Sequence, residues 1–167
     1  MAGSSATRGI ILHFKPVHYP RHLTLLPWLA LDGRMIETAP TPALSAIAFN
    51  AEGLVAAIAQ QHDTGEVLMM AWMNAQAIEE TLRTGQVCYF SRSRQKLWRK
   101  GESSGQKQSL VEMRIDCDGD ALLLLVNQEG VACHTGRRSC FYTAVRKGEL
   151  IEIITPRVDP DILYNRT

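Results

Sequence analysis

Proline is absent from residues 43 to 155, although five of the chain's seven prolines crowd between Pro16 and Pro42 and the other two, Pro156 and Pro160, follow that stretch. Proline removes a backbone donor and interrupts helix interiors and central strands, so a long proline-free interval is where hydrogen-bonded structure can run unbroken. The distribution divides the 167 residues into a variable N-terminal arm or linker (1–45), a folded body (46–155) and a short C-terminal tail (156–167). With 46% hydrophobic side chains, the body is long enough for one substantial core, so a single folded domain is expected.

Within the body, residues 54–60 and 66–73 are apolar runs separated by His62-Asp63-Thr64-Gly65, a turn-forming cluster that predicts a β-hairpin. Asn74 suits a helix N-cap and Gly85 a C-terminal cap, which places a short helix over 75–84 with Ala77, Ile78 and Leu82 near its buried face. Beyond it, residues 87–90, 109–115, 121–126, 140–145 and 150–154 are short β-prone runs broken by polar, glycine-containing segments. The expected fold class is α+β, mostly short antiparallel strands with one or two helices, with no internal repeat or heptad pattern.

Eighteen basic residues against seventeen acidic ones give a net charge of +1, so no global field draws the chain to nucleic acid or an anionic membrane. Any recognition of phosphate must be local. The longest apolar run, at 23–31, is interrupted by Thr24 and Pro27 and falls far short of the roughly 20 residues a spanning helix needs. Lys15, Arg21 and His22 precede that run as in a secretory signal, but no small-x-small cleavage site follows soon after, which favours the cytoplasm. There the four cysteines, Cys88, Cys117, Cys133 and Cys140, read as metal ligands, nucleophiles or buried apolar groups rather than as disulfides.

The chemistry concentrates in Asp116-Cys117-Asp118-Gly119-Asp120 and Cys133-His134-Thr135-Gly136-Arg137-Arg138-Ser139-Cys140. On an extended chain Asp116, Asp118 and Asp120 would project to one side and Cys117 to the other, with Gly119 making the alternation approximate. Carboxylate oxygens suit Mg²⁺ or Ca²⁺ and thiolates suit Zn²⁺, so the segment is equipped for two metals of different type. An EF-hand loop would need glycine at its sixth position and glutamate at its twelfth, where Ala121 and Asn127 stand. The cysteine spacing lacks a Cys-x2-Cys knuckle, and three thiolates leave one position of a zinc ion open, as a catalytic site requires, with His134 nearby as a proton carrier. The competing reading makes the cysteines buried apolar groups and the aspartates a solvated turn.

A second constellation, Ser91-Arg92-Ser93-Arg94 followed by Trp98-Arg99-Lys100-Gly101-Glu102-Ser103-Ser104-Gly105, mixes fixed positive charge, hydroxyls and flexible backbone. Such a mixture suits phosphate groups, although a solvated basic loop is the blander alternative. Gly101-Glu102-Ser103-Ser104-Gly105 also matches the nucleophile elbow of serine hydrolases, but the flanking Trp98-Arg99-Lys100 and Gln106-Lys107-Gln108 do not read as the strand and helix that elbow requires. Walker and dinucleotide-binding glycine motifs are absent, as is the His-x-Glu with Pro-Cys-x-x-Cys of zinc deaminases.

From about Phe49 to Tyr142 the chain resembles the phosphoribosyl-AMP cyclohydrolase family. The matching segments are Phe49-Asn50, Gly53-Leu54, Ala57-Ile58, Gln60, Leu68-Met69-Met70-Ala71-Trp72-Met73-Asn74 and Ser91-Arg92-Ser93-Arg94. Trp98-x-Lys100-Gly101-Glu102-x-Ser104-Gly105, Asp116-Cys117-Asp118-x-Asp120 and Cys133-His134-x-Gly136-x-x-Ser139-Cys140-Phe141 complete the pattern. The resemblance implies an intertwined homodimer with active sites at its interface, zinc held by Cys117 of one chain and Cys133 and Cys140 of the other, and magnesium on Asp116, Asp118 and Asp120. It implies attack of zinc-bound hydroxide on C6 of the adenine ring of 1-(5-phosphoribosyl)-AMP and cleavage of the N1–C6 bond in histidine biosynthesis, for which His134 is the candidate catalytic residue. Arg92, Arg94, Trp98, Lys100, Glu102, Ser103 and Ser104 become the substrate-binding set. Gln106 stands where many members carry histidine, so His134 or water must move protons here. The length suggests the monofunctional form. A paralogue acting on another purine nucleotide and a non-catalytic zinc-clamped dimeric domain, with Cys88 a candidate fourth ligand, are the alternatives.

Overall fold

The computed structural model describes residues 42–164; most of the N-terminal arm expected over 1–45 lies outside them. The predicted hairpin forms from β1 (Val55–Gln61) and β2 (Val67–Met73), antiparallel and in register from Val55 opposite Met73. Its turn closes because Gln61 N–H donates to Glu66 O at 2.8 Å and Gly65 N–H to Gln61 O at 3.0 Å.

The first helix among the described residues, α1 (Pro42–Ser45), inserts Leu44 into the core, and Ile47 just after it is fully buried. The helix after β2 is α2 (Ala75–Thr84), with the Asn74 side chain accepting Ala77 N–H at 2.9 Å and Gly85 closing it in a left-handed conformation. Its buried face is Ala77, Ile78 and Thr81, whereas Leu82 is 42% exposed. At 100° per residue the first three share one arc of about 100° and Leu82 falls about 40° beyond its edge. Thr81 tolerates burial because its hydroxyl donates to Ala77 O at 2.8 Å and accepts Cys88 N–H at 2.9 Å.

The remaining elements are β3 (Cys88–Ser91), β4 (Lys96–Arg99), β5 (Gln108–Ile115), β6 (Ala121–Gln128), β7 (Thr143–Arg146), β8 (Glu149–Glu152) and a four-residue α3 (Pro160–Leu163). Six strands form one sheet in the order β4-β3-β2-β1-β6-β5. The pairings are antiparallel except one: β1 and β6 run parallel, Ala56 opposite Ala121 through Gln61 opposite Val126. The antiparallel expectation is corrected at that position because the chain leaves β1 through a hairpin, builds outward to β4, then crosses to the far edge for β5. The next hairpin brings β6 back beside β1 in β1's own direction. The sheet curls, so that β5 also meets the segment before β3 through Val87 N–H to Gln108 O at 2.9 Å and Leu110 N–H to Gly85 O at 2.7 Å.

Alternating burial along β1 and β6 points one face of each strand into a core that includes Ile47, Leu68, Met73, Ile78, Tyr89, Leu122 and Leu124. Strands β7 and β8 form a separate hairpin carrying Val145 and Leu150, which are 70% and 76% exposed. Among the described residues no helix is long and apolar enough to cross a membrane.

Candidate active site

Two loops at one end of the sheet form a cleft of about 510 Å³. The first follows β4 and supplies Lys100, Gly101, Glu102, Ser103 and Ser104; the second follows β6 and supplies His134, Thr135 and Arg137. Arg94, Trp98 and Arg99 from the β3–β4 hairpin complete the same cleft with Pro156, Pro160 and Tyr164 of the C-terminal segment. The structure therefore brings together six of the seven sequence-predicted substrate residues and His134. Arg92 is the exception, because its guanidinium lies over the Trp72 ring, 4.9 Å from the centroid, and does not line the cleft.

Charge in the cleft is predominantly positive: Arg94, Arg99, Lys100 and Arg137 stand against Glu102. Arg99 is ion-paired with Glu80, and Glu102 accepts the Arg99 backbone N–H at 3.2 Å. Arg94 is braced by hydrogen bonds from its N–H and Nε to Ser91 Oγ, each at 3.3 Å. Lys100 is buried, with its Nζ donating to Ala132 O at 2.8 Å. Burial holds its pKa below the ordinary value, partly offset by the facing Cys140 and Cys133 thiols. Lys100 thus ties the wall of the cleft to the loop that bears the thiols.

Sequence reasoning passed over Arg137 and Arg138 as ligands of anything in particular, and their partners explain why neighbours differ so much. The Arg137 guanidinium stacks on Tyr142 at 4.1 Å, donates to Ile154 O at 2.8 Å and pairs with Glu152. Arg138 points the other way and donates to Glu66, Gln128 O, Gly130 O and Gln61 Oε1, which fastens the second loop to β1, β6 and the turn before β2. No spacing rule foretells such contacts, since their partners lie up to 77 positions away in sequence.

Cys133 sits in a tight turn, its N–H donating to Arg137 O at 3.0 Å and its carbonyl accepting Gly136 N–H at 3.1 Å. Cys140 is fixed to β2 by its N–H to Leu68 O at 2.7 Å, beside Ser139 Oγ to Val67 O at 2.7 Å. These anchors place the two sulfurs side by side. Desolvation first, then the adjacent Cys133 thiol, pushes the Cys140 thiol up to about 12. Two thiolates so placed repel each other, and a dication between them would remove that penalty, so the pair fits a zinc ion. Thr135 Oγ1 lies 3.0 Å from Cys133 Sγ.

Cys117 and the aspartates occupy the other end of β6, in the turn between β5 and β6. By register, Ala121 pairs with Ala56 of β1, while Leu125 pairs with Gln60, which faces the Val67 end of β2 where Cys140 is anchored. Four residues of strand separate these levels by about 13 Å. Cys117 cannot reach the Cys133–Cys140 pair within one chain. Cys88 is buried in the core, where desolvation and then the Glu80 charge raise its thiol to about 11, so it is an apolar core residue rather than a fourth ligand.

The turn after β5 gathers one carboxylate oxygen each from Asp116, Asp118 and Asp120 within 4.8 Å of one another. Asp116 is held below its ordinary pKa mainly by the Ala121 backbone N–H, whereas the Asp118 and Asp116 charges raise Asp120. Three hard, exposed oxygens that repel one another form a donor set suited to Mg²⁺ or Ca²⁺. The alternation, expected to be only approximate at Gly119, gives way there to a bend, in which Gly119 takes φ +82° and its carbonyl accepts Ala48 N–H at 2.8 Å.

A family model described as phosphoribosyl-AMP cyclohydrolase matches residues 69–142. A phosphoribosyl-AMP cyclohydrolase of Alkalilimnicola ehrlichii is 68% identical over 123 residues, 74% of this chain and 87% of that protein. One of Granulibacter bethesdensis is 71% identical over 119 residues (71% and 93%), and one of Acidiphilium cryptum is 70% identical over 112 residues (67% and 97%). The two loops of the cleft, the paired thiols and the aspartate turn fall within residues 69–142, and the chain belongs to the phosphoribosyl-AMP cyclohydrolase family.

Proposed function

We propose that this protein hydrolyses the N1–C6 bond of 1-(5-phosphoribosyl)-AMP, opening the adenine ring to a formimino carboxamide ribotide in histidine biosynthesis. One observation carries the reading beyond family membership. A cationic, hydroxyl-bearing loop and His134 line one cleft, and the thiol pair adjoins it, Cys133 preceding His134 in the chain and both thiols facing Lys100 of the cleft wall.

Cys133 and Cys140 would hold zinc, which when bound would supply an activated water for attack on an electrophilic ring carbon. The chain's own residues do the rest. Arg94 and the Ser103–Ser104 hydroxyls bind phosphate oxygens through charge-assisted hydrogen bonds. Trp98, half-buried against Tyr89 at 5.0 Å between centroids, offers a flat apolar face to the base. His134, exposed at the rim, accepts and returns a proton as the tetrahedral C6 centre forms and the C6–N1 bond breaks, N1 leaving with a proton. Asp116, Asp118 and Asp120 would hold Mg²⁺, whose charge would offset that of the substrate phosphates.

The same reading requires two chains. Cys117 lies too far from the other thiols to complete their site in its own chain, so it serves the site of a partner, in a homodimer. The apolar surface that such pairing would cover is present: Phe141, Val145, Leu150 and Ile153 are 53%, 70%, 76% and 49% exposed. Burying large apolar side chains is the main driving force for such association. We place the enzyme in the cytoplasm.

The experiment is ultraviolet-monitored turnover of phosphoribosyl-AMP by the purified protein with Zn²⁺ and Mg²⁺, comparing wild type with Cys133→Ala. Turnover abolished by the substitution is the expected result. A folded, zinc-loaded dimer with no turnover would refute the assigned substrate and favour a zinc-clamped binding domain.

A further inference from the structure

Gln106 stands at the seam between the two loops that make the cleft. Its side-chain Oε1 accepts the Val131 N–H at 2.8 Å, and its Nε2 donates to Ser104 O at 3.3 Å. Its backbone carbonyl accepts from Gln128 Nε2 at 3.3 Å, so side chain and main chain of one residue hold both loops. Two more links cross the seam, Lys100 Nζ to Ala132 O at 2.8 Å and Glu129 N–H to Lys107 O at 2.9 Å.

The packing there has no slack. Gly130, at φ +61°, lies flush against the Gln106 carboxamide, and a Cβ at that glycine would overlap Oε1. Val131, which receives the carboxamide, is buried at 2% exposure and sits two residues before Cys133. Gln106 itself does not line the cleft. A carboxamide gains or loses no proton in the accessible pH range, but it offers an acceptor and a donor on one rigid plane, which is what bridging two backbones requires.

We infer that Gln106 is a positioning residue: its carboxamide sets the separation between the Ser103–Ser104 loop and the loop bearing Cys133 and His134, and it carries no proton in the reaction. The inference rests on the ring-opening reading for its kinetic consequence and on geometry alone for its structural one. Misplacing reacting groups by as little as about 1 Å can cost on the order of 100-fold in rate, so a lost brace is read in kcat more than in KM.

The test uses the full-length, zinc- and magnesium-supplied protein with Gln106→Leu, Gln106→Glu and Gln106→His. Gln106→Leu removes both side-chain bonds; kcat is expected to fall at least about tenfold with KM changed by less than about twofold. Gln106→Glu keeps an acceptor for Val131 and loses the donor to Ser104, so a smaller loss of about threefold is expected, and this variant also serves if the leucine variant does not fold. Gln106→His is expected not to exceed wild-type kcat. Wild-type kcat in Gln106→Leu, a change confined to KM, or a gain in Gln106→His would overturn the inference. Amide hydrogen exchange separates this from the functional reading. In Gln106→Leu, or in Gln106→Glu to a lesser degree, exchange at Val131 should accelerate, about tenfold for leucine, while Leu124 in β6 keeps its protection. Unchanged protection at Val131 overturns the brace whether or not the protein turns over phosphoribosyl-AMP. An inactive wild type refutes only the substrate.

Discussion

Replacing Gly119 with alanine should unfold the protein at a markedly lower temperature and loosen the aspartate turn. Gly119 occupies φ +82°, where an L-residue pays about 1–2 kcal/mol for the approach of its Cβ to backbone. That Cβ would also stand 2.5 Å from Ala46 O and 3.2 Å from Ala48 N, both backbone atoms that cannot rotate away. Relief requires residues 46–48 to lift off, which breaks the 2.8 Å bond from Ala48 N–H to Gly119 O and disturbs fully buried Ile47. The broken bond adds about 0.5–1.5 kcal/mol, for a total of about 1.5–3.5 kcal/mol. For a domain of this size, at about 4 °C per kcal/mol, that corresponds to a fall in Tm of about 6–14 °C. Circular-dichroism melts at matched protein concentration, with calorimetric titration of Mg²⁺ below the melt, measure both consequences. Gly119→Asn separates the causes, because asparagine tolerates positive φ but carries the same Cβ and should be nearly as damaging. A Tm for Gly119→Ala within about 2 °C of wild type would refute the packing argument, and full recovery by asparagine would refute the clash.

Other outcomes follow from the same coordinates. Thr81→Val keeps the shape of a fully buried side chain but strands the Cys88 N–H, so urea denaturation should show a loss of about 1–3 kcal/mol. In Asp120→Asn the sign follows from the charge cluster. Asp118 and Asp116 hold the Asp120 carboxyl above its ordinary 3.8, so ionisation of Asp120 opposes folding. That penalty is absent below the ordinary carboxylate range and fully present above the raised value. In a chelator at pH 7 the variant should melt above wild type, the gain should vanish near pH 3, and Mg²⁺ should no longer stabilise it; a lower melt at pH 7 would contradict the repulsion.

Much of the fold was legible because its signals are local. Asn74 and Gly85 bound α2 because a side-chain acceptor and a left-handed residue satisfy the free ends of any helix. The first hairpin is likewise marked by its own turn residues. Leu82 misled because apolar character is not burial: Thr81 takes the core position once Cys88 supplies a partner for its hydroxyl. Strand β4 hid inside a basic segment, since its stability comes from pairing with β3 and its Trp98 and Arg99 line the cleft. The parallel β1–β6 pairing depends on how a chain of many residues returns across the sheet, which no short window contains.

The sequence by itself determined which chemistry is available. Thiols, carboxylates, a histidine and a basic hydroxyl-rich loop are covalent facts, and their spacing carried the family resemblance without coordinates. Tertiary structure decided which of these groups meet. Cys133 and Cys140 come together because a tight turn and the edge of β2 fix each one, while Cys117, closer to Cys133 in sequence than Gln61 is to Arg138, is held apart by the length of β6. The C-terminal residues Pro156, Pro160 and Tyr164, read as a tail, become a wall of the cleft. The physical reason is that an extended strand separates sequence neighbours by about 3.3 Å per residue, whereas sheet pairing and side-chain hydrogen bonds join residues at any separation.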